Sequence, residues 1–239
     1  MPHAMLSRIS RPAVIGVVSA AAAVAGCAQY SVLRDANIQP VSAVGMPAQA
    51  PAPTLRVGDQ WSYTRRETMT GLVSNQARGR VTGVTGEGYQ IAEEWQSGGP
   101  VSALYDFNLN PLRIGNVDFR PPFQRFSFPL AVGKTWQSEL VKREMPVQRY
   151  STVRESVKGA VIGWERITVP AGTFTALRID VTTVWSDIDA SGARGSSRET
   201  VWYVPEVRNV ALLHRQDFYG DVRIINDSVL ELTAFSVGN

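Results

Sequence analysis

Along residues 174–185, FTALRIDVTTVW, apolar and polar side chains alternate. Leu177, Ile179, Val181 and Trp185 fall on one face, and Arg178, Asp180 and Thr182 on the other. A period of two marks a strand with one buried face. VTGV (81–84), GYQIAEEW (88–95), TVWYV (200–204), NVALLH (209–214) and SVLELTAFSV (228–237) read the same way, being rich in β-branched and aromatic residues. The turn-forming stretches TGEG, SGGP, PAGT and DASG fall between these runs, and no amphipathic helical period follows residue 55. Many short strands at this spacing predict a mainly β fold, a curved antiparallel sheet or an open β-barrel, with little helix.

Within VPAGTF (169–174) the turn chemistry is explicit. Pro170 presets the first turn position, Ala171 follows, and Gly172 accepts the left-handed conformation of a three-residue hairpin with a bulge. This pairs a strand ending at Val169 with one starting at Phe174. The pattern also repeats. LRVGDQW (55–61) matches LAVGKTW (130–136) at an offset of 75, and VTGVTGEGYQI (81–91) parallels VKGAVIGWERI (157–167) at an offset of 75–76. Chance similarity is one explanation. The other is two similar β units, residues 55–129 and 130–214, with Trp61 and Trp136 equivalent.

The amino terminus follows different rules. Residues 1–11 carry Arg8 and Arg11 and no acid, and residues 12–26, PAVIGVVSAAAAVAG, carry no charge. A basic start, an apolar run and a small-residue exit describe a secretory signal peptide. The run is short for a membrane span, which needs about 20 residues. Val24, Ala25 and Gly26 precede Cys27, the single cysteine of the chain. This VAGC resembles the lipobox of bacterial lipoproteins. The resemblance implies a diacylglyceryl group on Cys27, cleavage after residue 26, and attachment to the lipid bilayer of a bacterial cell envelope. Ala28, where an Asp would retain enterobacterial lipoproteins in the inner membrane, points to the outer membrane, facing the periplasm. An uncleaved anchor or an ordinary signal peptide with an incidental cysteine are the alternatives. Two acyl chains give the stable anchorage that one chain cannot, and a lipidated Cys27 would leave no free thiol.

Residues 27–54 read as a Pro/Ala-rich tether, an extended spacer standing a folded domain of residues 55–239 off the membrane. Removing residues 1–26 takes Lys+Arg from 24 to 22 against 21 acids, so the net charge falls from +3 to +1. The basicity of the whole chain is thus partly that of its leader, and no basic stripe suggests nucleic acid.

VGKTW, VPAGTF and WYVPEV (202–207) occur in the order found in uncharacterised bacterial envelope proteins, some of whose sheets are similar to those of the LolA/LolB lipoprotein carriers. The likeness spans residues 130–214. It implies a fold and a compartment and carries no catalytic residues. Arg208 stands where those sequences often have Gly.

Candidate chemistry is sparse. His214 is the one histidine after residue 26, in a strand pattern with no nucleophile-elbow glycines. Zinc needs three or four ligands, which lipidated Cys27 and one histidine do not supply. No phosphate loop or dinucleotide fingerprint occurs, so no cofactor is expected. Asp187 and Asp189 in DIDASG resemble half of a calcium loop, but Arg198 stands where the closing Glu belongs, and a polar hairpin tip is the simpler reading. Glu93 and Glu94 are neighbours on a strand, so they face opposite ways and cannot act as an acid/base pair.

Six tryptophans, at 61, 95, 136, 164, 185 and 202, complete the inventory. They are either core, or Trp61, Trp136, Trp164, Trp185 and Trp202 line an apolar pocket inside a curved sheet. RPPFQRFSFPL (120–130) adds Phe123, Phe126 and Phe128, as an exposed contact loop or an ordered crossover. The expected function is a non-enzymatic envelope lipoprotein binding an apolar ligand or an envelope protein partner. An assembly role through protein contacts and a carboxylate-based hydrolase are the alternatives.

Overall fold

The computed structural model describes residues 32–145, 151–189, 192–220 and 223–238; Cys27 and its lipobox lie outside the described residues. A one-turn helix, α1 (Val32–Asp35), and a two-residue strand, β1 (Gln39–Pro40), precede twelve longer strands. These are β2 (Gln60–Glu67), β3 (Val73–Val84), β4 (Tyr89–Trp95), β5 (Gly99–Tyr105), β6 (Pro111–Ile114), β7 (Val117–Arg120), β8 (Thr135–Glu144), β9 (Ser151–Val169), β10 (Gly172–Asp187), β11 (Arg194–Val204), β12 (Asn209–Tyr219) and β13 (Arg223–Ser236). Each pairs antiparallel with its sequence neighbour, β13 pairs with β2, and β8 closes onto β9. The mainly β expectation therefore resolves into a closed twelve-stranded barrel with β1 added, and closure leaves no long strand edge bare.

β10 has the faces read from its alternation. Ile179 and Val181 point inward and are buried, while Asp180 and Thr182 point out. The outward face carries exposed Arg78, Arg80, Glu94, Glu139, Lys158 and Arg198. That surface suits water; charges on a lipid-facing barrel wall are costly. β9 and β10 exceed their neighbours in length, and β9 carries an extra residue, Ile162, opposite the Arg178–Ile179 step. Beyond this bulge the β9–β10 hairpin reaches β13. The Ala171 N–H donates to the Leu232 carbonyl at 3.0 Å, and Phe174 meets Phe235 edge-on at 5.9 Å. Trp202, Leu212 and Val229 alternate with the inward residues Val201, Leu213 and Leu230, so they face outward, yet they are buried, as are Val32 and Ala36. The hydrophobic core thus extends onto the outer side of the sheet.

Residues 39–54 depart from the expected free-standing spacer. Gln39 and Pro40 pair with Arg166 and Glu165, and the Val41 N–H donates to the Trp164 carbonyl at 2.9 Å. Ala50 and Leu130 exchange backbone hydrogen bonds of 2.8 Å, and the Pro53 carbonyl accepts from the Tyr89 hydroxyl at 3.0 Å. The cause is the unequal length of β8 and β9, ten residues against nineteen, which leaves part of β9 unpaired. An extended Pro/Ala chain of low bulk covers that edge.

The two VGxxW motifs make the same turn. Gly58 has φ +99° and Gly133 φ +85°. The Gly58 N–H donates to Val81 and the Gly133 N–H to Val161, both at 2.9 Å, and each valine N–H returns a 2.9 Å bond to the next residue's carbonyl. Trp61 then faces Gly79 across the strands, as Trp136 faces Gly159. The β5–β6 and β11–β12 turns also match, with Leu109 and Arg208 both at φ +59°. Arg208 thus adopts the left-handed geometry that Gly would favour. The structural counterpart of Val81 is Val161, so the ungapped offset of 75–76 does not extend past the first motif. In VPAGTF the loop is two residues, Pro170–Ala171; β10 begins at Gly172 (φ +141°), paired with Val169, rather than at Phe174.

Candidate functional site

Residues 121–130 cross one end of the barrel and close it. Phe123, Phe126 and Leu130 are buried, so this segment is the ordered crossover and not an exposed loop. Asn110, placed by the left-handed turn at Leu109, brackets Phe126: its Oδ1 accepts the Phe126 N–H at 2.9 Å and its Nδ2 donates to the Phe126 carbonyl at 3.1 Å. Phe126 and Phe128 pack against Tyr203 at 5.8 and 5.2 Å. The Trp136 indole N–H donates to the Gln124 carbonyl at 3.0 Å, and Lys134 Nζ donates to the carbonyls of Ser127 and Pro129.

From this plug Arg125 reaches into the lumen. Its Nε and Nη2 hold both Glu199 oxygens at 2.8 and 3.2 Å. Arg215 Nη1 holds Glu199 at 2.6 Å and its Nε holds Asp217 at 2.9 Å. Asp217 also accepts from Ser197 at 2.6 Å and Asn226 at 2.9 Å. Burial alone would raise the Glu199 carboxyl, but the two guanidiniums more than offset it and hold it below the usual carboxylate range. Asp217 is likewise lowered, burial being outweighed by Arg215 and its hydrogen bonds. Glu155 goes the other way. Burial raises it, and Lys142 at 3.5 Å offsets this only in part. The lumen is therefore not a uniformly dry pocket; one wall is a chain of matched charges.

The facing wall is apolar and aromatic. Between plug and mouth lies a cavity of about 340 Å³, lined among others by Trp61, Tyr63, Ile91, Trp95, Leu213 and Leu230, with Tyr105, Glu93, Arg125 and Arg215 at its polar side. That volume is at the small end of ligand pockets. Leu109, Phe126 and Val210 close it on the plug side. Tyr63 donates to the Val210 carbonyl at 2.9 Å and Trp61 Nε1 to the Val207 carbonyl at 2.9 Å, so both rings are fixed.

Of the five tryptophans expected to share a pocket, Trp61 lines the cavity and the other four do not. Trp136 holds the plug. Trp185 contacts Tyr219 at 6.2 Å and faces Gly195 across the strands. Trp164 pairs across strands with Leu177, and Trp202 donates to Glu165 at 2.6 Å on the outward side. Strand alternation separates them: Trp202 lies on the face opposite its luminal neighbour Val201. Trp95, absent from that set, lines the cavity through its position two residues from Glu93. Glu93 faces in and Glu94 out, as their adjacency requires.

His214 Nε2 and Asp227 Oδ1 are 2.9 Å apart, and among the described residues no serine or cysteine is bonded to the pair. Asp187 Oδ1 accepts the Asp189 N–H at 2.9 Å in a hairpin tip whose residues 190 and 191 lie outside the described residues. Among the described residues no group of three His, Cys, Asp or Glu is placed to hold a metal ion.

No protein-family model matches the sequence, and no curated protein matches it significantly. Two solved structures are similar. One is a candidate lipoprotein from Parabacteroides distasonis ATCC 8503, with a TM-score of 0.50 and 14% identity, covering 78% of this chain and 99% of that one. The other is a candidate exported protein with a YmcC-like fold from Bacteroides fragilis NCTC 9343, with a TM-score of 0.49, 14% identity and the same coverage. At this identity the likeness to the Parabacteroides distasonis protein is one of fold.

Proposed function

We propose that the chain is a lipid-anchored envelope lipoprotein, held by acylated Cys27 at the outer membrane and facing the periplasm, whose barrel binds a small apolar-bodied ligand and catalyses no reaction. The single observation that carries the binding role is the 340 Å³ cavity walled by Trp61, Tyr63, Ile91, Trp95, Leu213 and Leu230. Fixed aromatic rings around a space of that size recognise a ligand with little loss of side-chain freedom. The lipobox at residues 24–27 supports the anchor, and so does the lipoprotein description of the Parabacteroides distasonis structure. The non-enzymatic reading rests on the carboxylates themselves: Glu199 and Asp217 are held by arginines, which leaves them poor proton donors.

Native mass spectrometry and solvent extraction of the purified full chain test this. A co-purifying small molecule, lost in a Leu230→Trp variant that fills the cavity, is the expected result. A chain that carries nothing and displaces no apolar fluorescent probe refutes the ligand reading.

The alternative, assembly through protein contacts, is favoured by the barrel end opposite the plug. Met69, Leu72, Ile188, Tyr219, Ile224 and Ile225 are exposed there, at the tips of three hairpins. A reproducible protein crosslink from Leu72 or Ile224 in cells would favour it.

A further inference from the structure

Charges on the lumen wall can be matched one against another. Lys142 meets Glu155, and Arg125 and Arg215 share Glu199 and Asp217. Glu93 is left over. Its Oε1 accepts from the Tyr105 hydroxyl at 2.6 Å and its Oε2 from the Trp95 indole at 3.3 Å, both neutral donors, and among the described residues no lysine or arginine bridges it. Arg65 also lacks a carboxylate, but it is held by Ser228 and Asn226 and does not line the cavity. Of the charged side chains that line the cavity, Arg125 and Arg215 are tied to Glu199, and Arg78 is exposed and does not bridge Glu93, so among the described residues Glu93 is a cavity carboxylate with no ion-pair partner.

The surroundings of that carboxylate are aromatic. Tyr63, Trp95 and Tyr105 line the cavity beside it, and Trp61 completes the wall. Burial, and then the Glu93 charge, push both tyrosine hydroxyls up, so the two rings stay neutral. Neutral aromatic faces attract cations through the ring quadrupole, most strongly where water is scarce. An unmatched carboxylate within such a box is the arrangement that recognises an organic ammonium group. An anion would instead need guanidinium hydrogens, and those of Arg125 and Arg215 are directed at Glu199 and Asp217.

We propose that the cavity takes an organic cation, an ammonium head seated against Glu93 among the rings of Tyr63, Trp95 and Tyr105, with an apolar body along Ile91, Leu213 and Leu230. This rests on the reading of the barrel as a ligand carrier and names the chemical class of its ligand.

Three six-carbon probes test it on the purified full chain by titration calorimetry: hexyltrimethylammonium, hexanesulfonate and hexanol. The cation binds at least about tenfold more tightly than either of the others, and Glu93→Gln removes that preference by weakening the cation far more than hexanol. Trp95→Leu, which keeps an apolar side chain but removes the ring, weakens the cation more than the alcohol, and this serves as the readout if Glu93→Gln does not fold. A preference for the sulfonate, or a cation preference that survives both variants, overturns the assignment. Binding of hexanol without any cation preference overturns it too, but leaves the apolar-ligand reading standing. Failure of all three probes removes both.

Discussion

Replacing Gly159 by Ala tests the coupling between barrel wall and plug. A Cβ at residue 159 would lie 2.2 Å from Cε2 and Cζ2 of Trp136. Ordinary contact needs about 3.4 Å or more, so the indole must retreat by more than about 1 Å. The ring cannot do so freely, because its Nε1 holds the Gln124 carbonyl of the plug at 3.0 Å. Such a retreat takes that bond past the useful range. Overpacking costs about 1–3 kcal/mol, and the lost hydrogen bond adds about 1 kcal/mol. The expected destabilisation is therefore about 2–4 kcal/mol. Gly163→Ala is the control: it lies on the same strand, and nothing approaches its added Cβ within 4 Å. Urea unfolding followed by far-ultraviolet circular dichroism measures both, provided the transition is two-state. Limited trypsin digestion supplies a second readout, with cleavage after Arg125 appearing in Gly159→Ala and not in the parent. A loss under about 0.5 kcal/mol, or an equal loss in Gly163→Ala, would refute the argument.

Glu199 and Asp217 are held below their unfolded values, so their contribution to stability is fully present above the unfolded carboxylate range and is lost as pH falls through the lowered folded values. Thermal melts from pH 7 to pH 3 should show a decline below about pH 4.5. Glu199→Gln should cost about 3–5 kcal/mol at pH 7, by leaving Arg125 buried without its partner, and should flatten that acid decline. Phe126→Ala, at a side chain 2% exposed in the plug, should cost about 3–5 kcal/mol and open the closed end to an apolar dye. Gly172→Val places a branched residue at φ +141° and should destabilise by about 1–3 kcal/mol in the same urea assay. Cys27→Ala should release the chain from washed membranes; persistence through high salt would sink the anchor.

Strands were legible where one face meets a dry core. β10 alternates cleanly because its inward residues Ile179 and Val181 are packed. The start of β3, VSNQARGR, escapes the same reading because its inward positions Asn75, Ala77 and Gly79 are polar or small and only half-buried, so its alternation carries no run of large apolar side chains. The first VGxxW repeat was legible because a left-handed glycine and an inward tryptophan are tied to one turn. The second half slipped because Trp61 and Gly79 are 18 residues apart, whereas Trp136 and Gly159 are 23 apart. The inward direction of Glu93 followed from strand parity alone. The Arg125–Glu199–Arg215 cluster did not, since its members are 74 and 16 residues apart and only barrel closure brings them together. Parity also could not tell which of six inward or outward tryptophans share a wall, because that depends on strand order around the barrel.

The docking of the Pro/Ala segment changes how an anchored molecule would behave. With Val32 buried, four residues separate it from Cys27, and a chain gains at most about 3.5 Å per residue. The leash is then about 17 Å at full stretch, shorter than the some tens of Å that a free spacer would allow. A molecule anchored on so short a leash would not roam like a buoy. It would stay at the lipid surface with restricted tumbling, presenting a preferred side, and a ligand of the proposed kind would be exchanged within headgroup distance of the bilayer.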